Sequence, residues 1–233
     1  MLQINKVTKY YNQTKILDDI SFALDYDSIT GIIAPNGTGK TTLLNIIFGL
    51  DTKSSSQIYF EDRLLDSFEA KKEVFGYMLE DLKLYPQMKV YEFIEFIEQI
   101  SDYEDSYLKD ILKLDNILHK SIDSLSKGYH QRLKLFFALN NTKPIILLDE
   151  PFDGFDVVAM QDIIKLIKYR QSNHQSFLLC IHQLFDAQKI CDNFVLLNDS
   201  KLIASGDIST LQERFSLGSQ SSLEDILIKA ISE

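Results

Sequence analysis

The chain has 233 residues, 45% hydrophobic and 25% charged, which suits one large folded domain and argues against long disorder. A net charge of −10 excludes a broad basic footprint for nucleic acid, although backbone N–H groups can still bind phosphate locally. No window approaches the roughly 18–20 apolar residues needed to span a bilayer. Met1 to Lys6 lack the apolar stretch of a signal peptide, so a cytoplasmic chain is expected.

In chain order, Ile20, Phe22 and Leu24 alternate with polar or small residues and predict a half-buried strand. Ile29 to Ala34 is a short apolar run ending in the Pro- and Gly-containing loop Pro35-Asn36-Gly37-Thr38-Gly39. Leu43, Leu44, Ile47 and Leu50 then recur at helical spacing. Val90, Phe93, Ile94, Ile97 and Ile100 fit one helical face, and Leu108, Ile111, Leu112 and Leu118 predict more helix. The stretch from about Glu80 to Leu125 therefore reads as a helical insertion. A helix is predicted over Arg132 to Asn140, and Ile145 to Leu148 has the length of a buried strand. Val157, Met160, Ile163, Ile164 and Ile167 mark another helix, followed by a strand from Ser176 to Ile181. Cys180 lies in that run, which predicts a buried thiol. Phe194–Leu197 and Lys201–Ala204 form a predicted hairpin, and Ser221-Ser222 can cap a last helix. Strands alternating with helices imply an α/β fold with a mostly parallel sheet.

Residues 34–41, Ala-Pro-Asn-Gly-Thr-Gly-Lys-Thr, nearly match the phosphate-binding P-loop pattern G-x-x-x-x-G-K-[ST]. Glycines turn backbone N–H groups toward a phosphate, and the following helix points its positive end at it. Lys40 is expected to reach the β- and γ-phosphates and Thr41 to place its hydroxyl on Mg²⁺. Pro35, Asn36, Gly37, Thr38, Gly39 and Thr42 complete the predicted phosphate site. Ala34 stands where the pattern has glycine, which costs about 1 kcal/mol or more if that position needs a positive φ. The run Ile145–Leu148 delivers Asp149 and Glu150 to a strand's C-terminal edge, where α/β sheets place catalytic groups. Asp149 is the expected Mg²⁺ ligand and Glu150 the base that activates water.

The remaining motifs follow in a recognisable order. Leu125-Ser126-Lys127-Gly128-Tyr129-His130-Gln131-Arg132 closely resembles the signature sequence of ABC ATPases. Lys9-Tyr10-Tyr11-Asn12 is similar to the loop whose aromatic stacks on adenine, with Tyr11 at the matching position; packing is the competing role for that ring. Gly154-Phe155-Asp156 resembles the D-loop and Ile181-His182-Gln183 the switch histidine. Residues 76–80 resemble the Q-loop region, with Glu80 in place of glutamine as a metal ligand.

This resemblance to ABC transporter ATP-binding subunits covers nearly the whole chain. It implies a P-loop NTPase of the ABC ATPase type: an α/β core (1–79 and 126–233) with an antiparallel β section and a helical subdomain (80–125). It also implies ATP and Mg²⁺ as ligands, and a second ATPase subunit, identical or not, packed head to tail. Each ATP then lies between one P-loop and the partner's Ser126 and Gly128, with Glu150 and His182 catalytic. Integral membrane permease subunits are the other implied partners, holding the chain at the inner face of the cell membrane, and nucleic acid is not one. Residues 76–90 particularly resemble ATPases of bacterial drug and antimicrobial-peptide exporters whose permease is a separate chain. Tyr85, Met88 and Phe93 are the candidate permease contacts, with packing in the core as the competing role for all three. His119, His130 and His174 carry no matching context and are expected at the surface. Lys40 and Ser126 are only 86 positions apart, too close for the inserted coiled coils of DNA-repair and chromosome-organising relatives. A regulatory, weakly hydrolysing subunit paired with an active partner is the alternative, since Ala34 and Glu80 depart from the pattern.

Overall fold

The computed structural model describes residues 1–35, 37–52, 54–78 and 84–232. The N-terminal strands β1 (Leu2–Tyr11) and β2 (Thr14–Leu24) form an antiparallel hairpin. Their inward residues are Leu2, Ile4 and Val7 on one strand and Leu17, Ile20, Phe22 and Leu24 on the other, all buried. The alternation changes phase because Lys6 and Asp19 take φ values of 54°, and the register shifts between Ile4 and Val7. Such bulges reset a period of two. The chain next forms β3 (Ile29–Ile33) and helix α1 (Lys40–Phe48). It returns to the N-terminal sheet with β4 (Ser55–Phe60) and β5 (Arg63–Leu64), giving the order β2-β1-β4-β5.

Helix α2 (Phe68–Val74) leads into β6 (Phe75–Met78). Between β6 and the next strand lie α3 (Val90–Ser101), α4 (Ser106–Ile111), short 3-10 turns at Leu114–Ile117 and Ile122–Ser124, and α5 (Lys127–Leu139). Helix α5 starts five residues before the predicted Arg132, because the Ser126 hydroxyl caps it by accepting from Tyr129 N–H. The rest alternates: β7 (Ile145–Asp149), α6 (Val157–Gln171), β8 (Ser176–Cys180), α7 (Leu184–Ile190), then the hairpin β9 (Asn193–Asn198) and β10 (Lys201–Gly206). Helices α8 (Ile208–Arg214) and α9 (Leu223–Ser232) follow. Ser222 and Asp225 bond reciprocally at the start of α9, the capping box expected from the sequence.

The second sheet has the order β10-β9-β3-β8-β7-β6, parallel from β9 to β6 with β10 antiparallel at one edge. Both its faces are covered, which explains the unbroken apolar runs of its strands. Ile146 and Leu148 of β7 join one cluster with Phe93, Ile97, Phe136 and Ile163, while Ile145 and Leu147 join another with Leu43, Ile47 and Ile4. Phe93 is thus a core residue, 5% exposed, which selects the packing role over the permease contact for this position. Met88 packs partly buried on the same cluster, whereas Tyr85 is 70% exposed. Cys180 is buried, and desolvation pushes its thiol well above the usual range.

Candidate active site

β3 ends at Ile33 and α1 begins at Lys40, so the P-loop sits between a buried strand and a helix N-terminus. Gly37 and Gly39 take φ values of 79° and 93°, and a Cβ on Gly39 would stand 2.8 Å from Ile16 Cγ2. Only glycine meets both demands at position 39. Ala34 is not among the described residues with positive φ, so the missing glycine carries no backbone penalty here. Lys40 is buried, and its ammonium donates to the Ala34 carbonyl at 3.0 Å and more weakly to that of Pro35 at 3.5 Å. The Thr38 hydroxyl also donates to the Pro35 carbonyl. The loop is thereby folded around its own lysine.

Asp149 closes β7 and is buried at the strand's C-terminal end. The next residue, Glu150, has φ 49°, a left-handed conformation costing a non-glycine residue about 1–2 kcal/mol. Three bonds hold it there. Its N–H donates to the Cys180 carbonyl at 3.1 Å, its carbonyl accepts from Gln131 Nε2 at 2.7 Å, and its carboxylate Oε2 lies 2.5 Å from His182 Nδ1. The strain turns the Glu150 side chain away from the strand's course and onto His182, which follows β8 closely in sequence. A backbone outlier fixed by several independent contacts is common where chemistry is performed.

These groups meet at one cavity of about 790 Å³ lined by Tyr11, Gly37, Gly39, Lys40, Thr41, Thr42, Asp149, Glu150 and His182, among others. Tyr11 is 51% exposed there. Pro35 and Thr38 are not in the lining, and neither are Ser126 and Gly128. A Cβ on Gly128 would come 2.9 Å from the Gly154 carbonyl, so this glycine lets α5 lie against the D-loop. Asn36 and Glu80 lie outside the described residues. The cavity also contains Lys127, His130 and Lys134, which sequence reasoning did not assign to it. His130 was expected merely at the surface. The signal was the spacing of 127, 130 and 134, which puts all three on one face of α5. His174, by contrast, is exposed and paired with Asp27 at 3.0 Å.

The chemistry available is that of an anion site with a base. Lys40 and the α1 N-terminus attract phosphate, Tyr11 offers an aromatic face, and the Glu150 carboxylate can accept a proton. Among the described residues no group of three or more His, Cys, Asp or Glu could hold a metal ion. Thr41 and Asp149 nevertheless supply a hydroxyl and a carboxylate in one cavity, a donor set that suits Mg²⁺ shared with substrate phosphates. No helix among the described residues is long and apolar enough to cross a membrane.

A family model described as ABC transporter matches residues 17–153. Among curated proteins, the chain is 27% identical over 229 residues to the uncharacterized ABC transporter ATP-binding protein YthP of Bacillus subtilis, covering 95% of this chain and 92% of that protein. It is 27% identical over 206 residues to the lantibiotic transport ATP-binding protein SrtF of Streptococcus pyogenes, covering 87% and 89%. The spermidine/putrescine import ATP-binding protein PotA of Clostridioides difficile is 26% identical over 214 residues, covering 88% and 62%. A solved ATP-binding subunit of an ABC transporter superposes with a TM-score of 0.90 at 24% identity, over 99% of both chains. A dimeric ATP-binding cassette in a post-hydrolysis state, bound to ADP and Pi, superposes with a TM-score of 0.79 at 22% identity, over 89% and 99%. These superpositions establish the shared fold. With more than half of its length matched by the family model, the chain belongs to the ABC transporter family, as an ATP-binding subunit of the ABC ATPase type.

Proposed function

We propose that this chain hydrolyses ATP as one half of a head-to-tail dimer and drives an exporter whose permease is a separate chain. The observation that carries the proposal is the gathering of Lys40, Thr41, Asp149, Glu150 and His182 on one cavity. Lys40 moves its ammonium from the Ala34 carbonyl to the β- and γ-phosphates, where Gly37, Gly39 and the first N–H groups of α1 also bind. Thr42, on α1 and in the cavity lining, joins them, Pro35, Asn36 and Thr38 are the remaining proposed nucleotide-binding positions, and Tyr11 stacks on adenine. Mg²⁺, when bound, neutralises phosphate charge; Thr41 and Asp149 would hold it, with Glu80 as a further oxygen donor.

Glu150 accepts the proton of the attacking water. His182 bonds one oxygen of that carboxylate, which keeps further acceptor sites for the water. When ATP enters, His182 turns toward the γ-phosphate. Ser126 and Gly128 face the ATP held by the partner subunit, consistent with their absence from the chain's own cavity lining. We further propose that residues 80–125 shift as a unit against the core (1–79 and 126–233), with exposed Tyr85 meeting the permease at the cytoplasmic membrane face.

The resemblance of residues 76–90 to exporter ATPases favours export; SrtF's name gives transport without a direction, and PotA's name, that of an importer, points the other way. Turnover by the purified subunit, alone and with its permease in vesicles, tests the proposal. ATPase activity stimulated by the permease and ATP-dependent efflux are expected. Turnover indifferent to the permease contradicts the coupling, and ATP-dependent uptake contradicts the direction.

A further inference from the structure

The ring of Tyr11 is backed by a buried cation. Lys9 and Tyr11 are two residues apart on β1, so their side chains leave the same face of the strand. Lys9 is only 4% exposed, an uncommon place for an ammonium because an uncompensated buried charge is strongly unfavourable. Its Nζ lies 2.6 Å from Asp51 Oδ1 and 4.9 Å from the centroid of the Tyr11 ring. Asp51 is fixed in turn, since its backbone N–H donates to the Asn45 carbonyl at 3.3 Å. Asn45 belongs to the last turns of α1, whose first residue is Lys40. A continuous set of contacts therefore links the phosphate-binding helix, through Asp51 and Lys9, to the aromatic ring across the cavity.

We infer that Lys9 is a positioning residue for the nucleobase, and that Asp51 fixes Lys9. The inference rests on the reading that Tyr11 stacks on adenine. A half-exposed tyrosine on a strand end has rotamer freedom that base binding must remove. A cation at one ring face holds the ring by its quadrupole and removes that freedom beforehand, which favours binding by preorganisation. The cation also draws π density from the opposite face, making it a better platform for an electron-rich purine. The ion pair sets how far that platform stands from the phosphate site, so the nucleotide is measured at both ends. The preference this creates is for a large purine over a smaller pyrimidine.

The test is steady-state hydrolysis of ATP and CTP by the full chain in native, Lys9→Met, Lys9→Arg, Asp51→Asn, Tyr11→Ala and Lys9→Met/Tyr11→Ala forms. Tyr11→Ala should raise KM for ATP about tenfold, within the range of base stacking on an aromatic side chain. Lys9→Met should raise KM for ATP roughly threefold to fivefold, a partial loss of that stacking, with kcat and KM for CTP little changed. Lys9→Arg should restore the native ATP preference, and Lys9→Met should add nothing once Tyr11 is alanine. If Lys9→Met does not fold, Asp51→Asn provides the same reading and should also lower the preference for ATP over CTP. An unchanged preference in the folded variants, or equal weakening of ATP and CTP, overturns the inference. If Tyr11→Ala leaves KM for ATP unchanged, the adenine reading itself has failed.

Discussion

The contact between Glu150 and His182 engages one oxygen of the carboxylate, Oε2, at 2.5 Å. An ionised carboxylate has acceptor sites on both oxygens, so this bond orients the Glu150 side chain and still leaves it able to accept from water. Glu80, which lies outside the described residues, raises a related question because it stands where the family pattern has glutamine. Both side chains can offer an oxygen to Mg²⁺ or to its water, at nearly the same length. Glu80→Gln should therefore keep hydrolysis within about tenfold of native, at most ~1.4 kcal/mol on the barrier. Glu80→Ala, with no oxygen, should lose more and need more Mg²⁺ for half-maximal rate. ATPase activity titrated with Mg²⁺ across the three forms checks this, and equal Mg²⁺ dependence in all three would remove Glu80 from the site. Ala34 requires no such rescue, since its backbone is outside the left-handed region.

At the scale of elements, the helix α3 separates packing from docking. Its Phe93 belongs to the cluster that includes Leu133 and Phe136 of α5, while Tyr85 before the helix projects to solvent. Phe93→Ala should cost about 3–5 kcal/mol of stability, the range for emptying a phenylalanine site in a core, read as a lowered denaturant midpoint. Tyr85→Ala should leave that midpoint within about 0.5 kcal/mol but weaken permease stimulation of turnover. A cysteine at Gln87 should cross-link to the permease; failure to do so in an intact complex would count against this surface.

Much of this level is legible in the sequence. Buried parallel strands such as Ile145–Asp149 are nearly pure apolar runs, and helices such as α3 carry a clean apolar face. β1 is not legible, because the bulge at Lys6 breaks its alternation and because buried Lys9 looks like a surface residue until Asp51 is placed beside it. The same limit hid Lys134 and His130 from the cavity: their spacing puts them on one face of α5, but nothing local tells that this face lines the cavity. By contrast, Lys40, Thr41, Asp149 and Glu150 were legible because each sits at a junction that sequence marks: strand to loop, loop to helix, strand to edge. His182 was found only through its resemblance to a family motif.

At the scale of the whole molecule, the proposed dimer makes one chain half of a reaction site. The cavity is lined by Gly37, Gly39, Lys40, Thr41, Glu150 and His182, while Ser126 and Gly128 stand outside its lining; in the proposed dimer they serve a second copy or a related subunit. A molecule built this way should close around ATP and reopen after hydrolysis. Blocking the chemical step should therefore trap the closed form. Glu150→Gln removes the proton acceptor but keeps the side chain's shape and every phosphate contact. The decisive measurement is ATP turnover by purified native and Glu150→Gln protein with Mg²⁺, with bound ATP and molecular mass determined on the same samples. Turnover should fall by roughly 10²-fold or more, the scale of a positioned general base, with ATP retained on a species of twice the monomer mass. Near-native turnover by Glu150→Gln would contradict the account.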